Sequence, residues 1–246
     1  MHEENCFLTL TYNDQNLPKD KSLHKSEIQL FIKRLRKHYY PKRIRYYACG
    51  EYGNDFARPH YHACIFGHDF EDKEIHKRGH YGTKTTANTR RGEFDIYRSK
   101  TLEKLWPKGF STIGEVTFDS AAYVARYITK KINGKNSDDH YQGKTPEFAL
   151  MSRRPGIGNE WLDKYLTDVY PKDYVTMRGK KLRPVRYYDN QLMTKNFSMY
   201  EKVKDKRKQK TENPGDTRLY QMEEHRKQIT KPLYRSYEYE GQEGSE

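Results

Sequence analysis

The run Arg58-Pro59-His60-Tyr61-His62-Ala63-Cys64-Ile65-Phe66-Gly67 constrains this chain most, because it joins two imidazoles at a spacing of two to an apolar stretch. That pattern predicts a strand. Successive strand side chains point to opposite faces, so His60 and His62 share one face roughly 6.5–7 Å apart along the chain, with Tyr61 and Ala63 on the other. Two imidazoles so placed can hold one metal ion. They are equally compatible with the polar start of a half-buried strand, so the surrounding residues have to decide.

Two further segments read as strands that could pair with it. Cys6-Phe7-Leu8-Thr9-Leu10-Thr11-Tyr12 alternates Phe7, Thr9 and Thr11 with Leu8, Leu10 and Tyr12, so one face can pack a core while the other carries hydroxyls, and Asn13-Asp14 ends it. Ile44-Arg45-Tyr46-Tyr47-Ala48-Cys49 is the next. The connection from Gly50 to Ala57, with Gly53-Asn54-Asp55, can return the chain antiparallel into the histidine strand. Glu51 falls at the mouth of that hairpin. A carboxylate near two imidazoles completes a three-ligand set for a hard or borderline divalent ion; as an isolated Glu in a turn it is ordinary surface charge.

Helices are predicted on either side of these strands in the chain. Ser26 with Gln29 has the spacing of a capping box, and Ile28, Phe31, Ile32 and Leu35 fall at i, i+3, i+4 and i+7, with Pro41 closing the helix. Its other face carries Lys33, Arg34, Arg36 and Lys37, a solvated or phosphate-contacting surface. About residues 68–108 form a polar insertion at the sheet edge, containing His68, His76 and His80 and a short helical or turn segment from Leu102 to Trp106. Ser111 to Phe118 returns to strand character. Asp119 or Ser120 then caps a helix from Ala121 to Lys131, in which Tyr123 and Tyr127 are neighbours on one face and Lys130 and Lys131 follow one turn later. The tyrosines fit an aromatic stripe packing on a sheet. They also fit a pair of nucleophiles, because a phenol can attack a phosphate that a metal polarises and cations stabilise.

Charge narrows the partner. Forty-seven Lys and Arg against 34 Asp and Glu give a formal charge of +13, and aromatic residues, 14% of the chain, are interleaved with it. Nucleic acid is the natural partner of such a surface, although a basic solvated surface is the plainer alternative. Cys6, Cys49 and Cys64 each sit in an apolar run with no Cys-x-x-Cys pair, which predicts buried thiols in a reducing compartment rather than disulfides or a zinc finger. No apolar run approaches the ~18–20 residues of a membrane span, and Met1-His2-Glu3-Glu4-Asn5 lacks the regions of a secretory signal. Core-forming segments thin out beyond about residue 190, so residues 1–190 are expected to form one domain and 191–246 a basic extension, helical or partly disordered. Lys181 to Tyr188 combines cations with rings, which can stack on unpaired bases or form a packed strand. No Gly-rich phosphate loop appears, so a helicase motor in this chain is not expected.

Phe-Leu-Thr-Leu-Thr-Tyr (7–12), Arg-Pro-His-Tyr-His-Ala-Cys-Ile-Phe-Gly (58–67) and Tyr-Val-Ala-Arg-Tyr-Ile-Thr-Lys-Lys (123–131) resemble, in order, the three motifs of HUH endonucleases, the rolling-circle replication initiators. Within them the chain is most similar to the initiators of small single-stranded DNA microviruses, particularly the gokushovirus group. Ala48-Cys49-Gly50-Glu51-Tyr52-Gly53, Leu105-Trp106-Pro107-Lys108-Gly109-Phe110 and Met151-Ser152-Arg153-Arg154-Pro155-Gly156-Ile157-Gly158 look like that group too, so the resemblance runs from about residue 5 to 190. Similar proteins usually have residues ahead of the first motif, whereas this chain reaches Phe7 almost at once.

The resemblance implies an α+β fold: a central antiparallel sheet with flanking helices, related to the ferredoxin or RRM-like plan, with the histidines on a central strand beneath the tyrosine helix. It implies that Tyr123 and Tyr127 nick single-stranded origin DNA through a 5′-phosphotyrosine and close single-stranded circles by strand transfer. His60, His62 and Glu51 would hold Mg²⁺ or Mn²⁺, and Lys130 or Lys131 would stabilise charge or assist proton transfer. Arg58, Arg126, Arg183, Arg186 and Tyr187 are the candidate DNA contacts. Host polymerase and helicase are the implied partners, in the cytoplasm of a bacterial host and without a membrane. A transposase or plasmid relaxase would share this chemistry. A non-catalytic single-stranded nucleic-acid-binding module would share the sheet and rings, but would not need His60, His62 and paired tyrosines.

Overall fold

The computed structural model describes residues 1–53, 58–78, 95–130 and 137–212, together with 220, 221 and 223. The described chain divides into two compact units, Met1–Ile157 and Gly158–Glu246. The thinning of core-forming segments suggests a boundary near residue 190; the compact units part at residues 157 and 158.

The first unit is built on strands β1 (Asn5–Tyr12), β2 (Arg45–Tyr52), β3 (Pro59–Phe66), β4 (Lys73–Lys77), β5 (Ile96–Ser99), β6 (Gly109–Gly114) and β7 (Phe148–Met151), in the order β4-β5-β6-β1-β3-β2-β7. Every pairing is antiparallel. Helices α1 (Lys25–His38), α2 (Lys100–Leu105), α3 (Phe118–Lys130) and α4 (Ser137–Tyr141) complete it, so the α+β plan with a central antiparallel sheet is the observed one. The β4–β5 pair lies at one edge of the sheet, where the polar insertion is expected.

Side-chain alternation divides the sheet into two faces. Leu8, Leu10 and Tyr12 of β1, Ala48 of β2 and Tyr61, Ala63 and Ile65 of β3 join Ile28, Phe31, Ile32 and Leu35 of α1 and Leu102 and Leu105 of α2 in the main core. Fully burying a side chain such as Phe31 or Leu35 stabilises the fold by roughly 1.5–3 kcal/mol, which is why the i, i+3, i+4, i+7 stripe decides where α1 lies. Trp106 fills the centre of this core; its Nε1–H donates to Thr11 O at 3.1 Å, and the Tyr12 and Tyr61 hydroxyls meet at 3.0 Å. The buried rings therefore keep their polar atoms paired. On the opposite face Phe7, Tyr47, Cys49, Cys64 and Phe66 pack with Val124 of α3.

Several local expectations are corrected. Helix α1 starts at Lys25 with His24 at the cap and no side-chain cap bond, so Ser26 and Gln29 lie within the helix and form no capping box. Arg34 and Arg36, expected on a solvated or phosphate-contacting face, instead donate to carbonyls: Arg34 Nε to Leu105 O at 3.0 Å, and Arg36 to Ile44 O at 3.0 and 2.9 Å. Strand β6 ends at Gly114, and Phe118 already begins α3. Thr117, not Asp119 or Ser120, precedes the helix: Ser120 N donates to Thr117 Oγ1 at 3.1 Å and Thr117 N to Ser120 Oγ at 2.8 Å, a reciprocal cap that satisfies two backbone donors.

Two of the segments noted in the sequence have packing roles. A Cβ on Gly109 would lie 2.3 Å from both Asn13 N and Thr11 O, so only glycine allows β6 to meet the end of β1. Ser152 exchanges bonds with Tyr46, N to O at 3.0 Å and Oγ from Tyr46 N at 3.1 Å, which extends the β2–β7 pairing beyond Met151.

The second unit contains α5 (Asn159–Val169), the hairpin β8 (Val175–Met177) and β9 (Lys180–Leu182), α6 (Arg186–Lys195) and α7 (Phe197–Glu212). Leu162, Val169, Tyr170, Leu192 and Val203 form its own core. Among the described residues no helix is long and apolar enough to cross a membrane.

Candidate metal centre and tyrosine helix

Glu51 lies within β2 rather than in a turn: the strand runs on to Tyr52, and antiparallel pairing sets Glu51 opposite His60. Because side chains two residues apart share a face, His62 points the same way as His60. Glu51 Oε1 is 2.6 Å from His60 Nε2 and 2.8 Å from His62 Nε2. The three residues each offer a ligand atom, all within 4.8 Å of one another, and Glu51 and His62 are buried. Expectation and geometry agree that these groups converge.

The outer ring nitrogens are held as well. His60 Nδ1 is 3.0 Å from Arg58 O, an acceptor that fixes its hydrogen on Nδ1 and leaves Nε2 facing the centre as a ligand atom. His62 Nδ1 is 3.0 Å from Thr9 Oγ1, and Phe7 stacks on the His62 ring with centroids 5.6 Å apart. Thr9 and Phe7 were not singled out from the sequence as site residues. The alternation in β1 carried the signal, since the Phe7/Thr9/Thr11 face is the one β1 turns toward His62 through the Thr9–His62 register.

Electrostatics separates the three groups. Burial pushes the Glu51 carboxyl up, but hydrogen bonds from His60 and His62 outweigh it and hold the group below its usual range. For His60 burial disfavours the charge, yet Glu51 and Arg58 O prevail and raise its pKa. His62 is lowered, because its deeper burial outweighs the same carboxylate. Glu51 Oε2 is buried without a hydrogen-bond partner. An ionised carboxylate with an orphaned oxygen beside two imidazole nitrogens fits a divalent cation. The nearby thiols offer less: Cys49 and Cys64 are buried and free, and burial pushes Cys64 up to about 12.

Helix α3 lies over this face, and Val124 anchors it with Cys49 and Cys64. One residue earlier, Tyr123 directs its hydroxyl to Glu51 Oε1 at 3.2 Å while its ring meets His62 edge-on at 5.1 Å. Burial and then the Glu51 charge raise the phenol's pKa. Tyr123 is nonetheless 39% exposed, so one side of the ring stays accessible to a substrate. Tyr127 and Lys130 follow on the same helix, but their side chains, and the whole of Lys131, lie outside the described residues.

The candidate DNA contacts are dispersed. Arg58 Nη1 donates to Tyr12 O at 3.0 Å and Nη2 pairs with Asp14, so this guanidinium braces the start of β3. Arg126 is exposed on α3. Arg183 and Arg186, also exposed, and the half-buried Tyr187, whose hydroxyl donates to Asn159 Oδ1 at 3.3 Å, belong to the second unit.

A family model described as replication-associated protein ORF2 matches residues 5–132. The chain is 35% identical to replication-associated protein VP4 of Bdellovibrio phage phiMH2K over 198 residues, 77% of this chain and 58% of that protein. It is 36% identical to replication-associated protein ORF2 of Spiroplasma virus 4 over 202 residues, with the same shares of 77% and 58%. Against replication-associated protein ORF4 of Chlamydia phage 1 the identity is 31%, covering 78% of this chain and 46% of that protein. The matches thus span about half the length of these curated relatives. No solved structure matches the chain.

Proposed function

This chain belongs to the family of replication-associated protein ORF2, and we propose accordingly that it initiates rolling-circle replication of a phage genome by nicking single-stranded origin DNA with a tyrosine. The observation that carries the reading is the Tyr123 hydroxyl, 3.2 Å from a carboxylate oxygen that two histidines also contact. The relatives' names, all replication-associated proteins, favour replication over a transposase or relaxase using the same chemistry.

In this reading His60, His62 and Glu51 hold Mg²⁺ or Mn²⁺. When bound, the ion polarises the scissile phosphate and offsets the Glu51 charge beside the phenol. The chain's own residues position the attack. Glu51 Oε1 orients the Tyr123 hydroxyl, and Thr9 and Arg58 O hold the imidazoles in place. The phenol gives up its proton, the Tyr123 O–P bond forms as the P–O3′ bond breaks, and the departing O3′ takes up a proton to become a free hydroxyl. That hydroxyl primes the host polymerase, with a host helicase opening the duplex in the bacterial cytoplasm. Because one phosphodiester is exchanged for one phosphotyrosine, rejoining requires no nucleotide. Tyr127, one turn along α3, is the second nucleophile that cuts the regenerated origin, and Lys130 or Lys131 supplies positive charge to the transition state.

The test is a covalent adduct. The strand retained on the enzyme lies 3′ of the nick, so 3′-labelled oligonucleotides tiling the cognate genome are incubated with protein and Mn²⁺ and resolved under denaturing conditions. A labelled band is expected, with mass spectrometry placing the nucleotide on Tyr123 or Tyr127 and no band from Y123F/Y127F. An undiminished adduct in the double variant would overturn the assignment.

A further inference from the structure

In the second unit one guanidinium holds two aspartates that bracket a basic segment. Arg207 Nε donates to Asp173 Oδ2 at 2.8 Å, and its Nη1 and Nη2 donate to Asp189 Oδ2 and Oδ1 at 2.8 and 2.9 Å. Between those aspartates, residues 174–188 contain Arg178, Lys180, Lys181, Arg183 and Arg186 and no Asp or Glu. The acids flanking the segment are thus engaged at its base, away from the cations at its tip.

The tip is a two-stranded ribbon. Strands β8 and β9 pair Val175 with Leu182, Thr176 with Lys181 and Met177 with Lys180. Arg178 and Gly179, at φ of 50° and 75°, form the two-residue turn whose twist suits a hairpin. Every residue from Thr176 to Arg183 is exposed. Isolated ribbons are marginal, and this one is tethered at its stem: Val175 packs against the unit's core and the Tyr170 hydroxyl donates to Asp189 Oδ1 at 2.7 Å. Arg207 is accordingly a positioning residue for the ribbon.

We propose that the β8–β9 ribbon is an arm that docks in a groove of double-stranded DNA, its Arg178, Lys180 and Lys181 neutralising phosphates along the groove walls. A two-stranded ribbon matches the major groove, about 12 Å wide. Single-stranded DNA would instead require open ring faces, and the rings here are engaged: Trp161 and Tyr188 stack on each other at 5.8 Å, and Lys181 Nζ lies 4.6 Å from the Tyr174 ring centre. The inference rests on the proposed function only in taking DNA as the substrate. The arm lies beyond residue 132, where the family match ends.

The full chain and its R178A/K180A/K181A variant are compared for binding to a short duplex and to one of its single strands across a salt series. Duplex affinity is expected to fall roughly tenfold at moderate salt, and the log–log salt slope to shrink by about one per cation removed. Single-strand affinity should change by about twofold or less. An R178K/K180R/K181R variant, which keeps the charges, should restore duplex binding, and an unchanged thermal midpoint establishes that the unit still folds. An unchanged duplex affinity and slope, an equal loss on both DNA forms, or no recovery with the charge-keeping variant would overturn the proposal. The readout is equilibrium binding, so its failure leaves the phosphotyrosine chemistry standing, and absence of a covalent adduct leaves the arm standing.

Discussion

Glu51 stands directly opposite His60 across the β2–β3 hairpin, with Oε1 2.6 Å from the imidazole Nε2. That single register decides the whole centre. With Glu51 facing His60, strand alternation brings His62 to the same oxygen at 2.8 Å, whereas a slip of one residue would send the carboxylate to the core face with Tyr61 and Ala63.

Divalent metal should stabilise the folded protein through this centre. Mn²⁺ at about 100 times its dissociation constant contributes about 2.7 kcal/mol, read as a raised thermal midpoint that a chelator reverses. H60A/H62A should show no such rise and no cleavage while retaining DNA binding, which rests on many cations. An equal Mn²⁺ response in the double variant would remove the histidines from the site.

Thr9 acts on the metal through His62. T9V keeps the β-branched shape of a strand residue but removes the oxygen 3.0 Å from His62 Nδ1. Metal affinity measured by calorimetric titration should fall by about 10–100-fold. Unaltered affinity would show that Thr9 does not orient the ring.

Acid should weaken the first unit through His68. This ring is 1% exposed, lies 4.0 Å from the Tyr39 ring and 4.7 Å from Phe70, and has no hydrogen-bond partner on either nitrogen. Burial, with Lys42 adding to it, lowers its pKa from 6.5 to about 4. The unfolded chain therefore binds a proton that the folded chain refuses, so stability is complete above 6.5 and is lost as pH falls toward 4, by on the order of 3 kcal/mol. H68F, which suits the aromatic surroundings, should remove this part of the pH dependence. Urea midpoints for both proteins at pH 7 and pH 4.5 provide the comparison, and parallel losses would refute the role of His68.

Core and edge phenylalanines should differ sharply. F31A removes a fully buried ring that meets Trp106 edge-on at 6.2 Å, and should cost about 3–5 kcal/mol in urea unfolding. F110A acts on a ring that is 65% exposed and should stay within about 0.5 kcal/mol. Similar losses for the two would contradict the placement of the core.

Local patterning along the chain was enough to place the strands that carry the centre and the stripe that buries α1. Period-two alternation in residues 7–12 and 60–66 and the 3.6-residue stripe of Ile28, Phe31, Ile32 and Leu35 are consequences of which face is apolar. They also put His60 and His62 on one face before any partner strand is known. Less was legible where the chain is short or its bonds are distant. Strand β7, Phe148–Met151, is too brief to show a period, and Arg36 reads as a surface cation until Ile44 O is found beside it. The cap of α3 was missed by a few residues because Thr117, Asp119 and Ser120 are all plausible cap types, and only the reciprocal Thr117–Ser120 bonds choose between them.

The convergence of groups from four elements came from the folded chain alone. Thr9 of β1, Glu51 of β2, His60 and His62 of β3 and Tyr123 of α3 meet because two antiparallel registers and the packing of Val124 on Cys49 and Cys64 fix their relative positions. Likewise Arg207 reaches Asp173 and Asp189 only once α7 has folded against its own unit. Side-chain period is a property of a segment and can be read along it; register and helix docking are set by non-local burial, which no single segment contains.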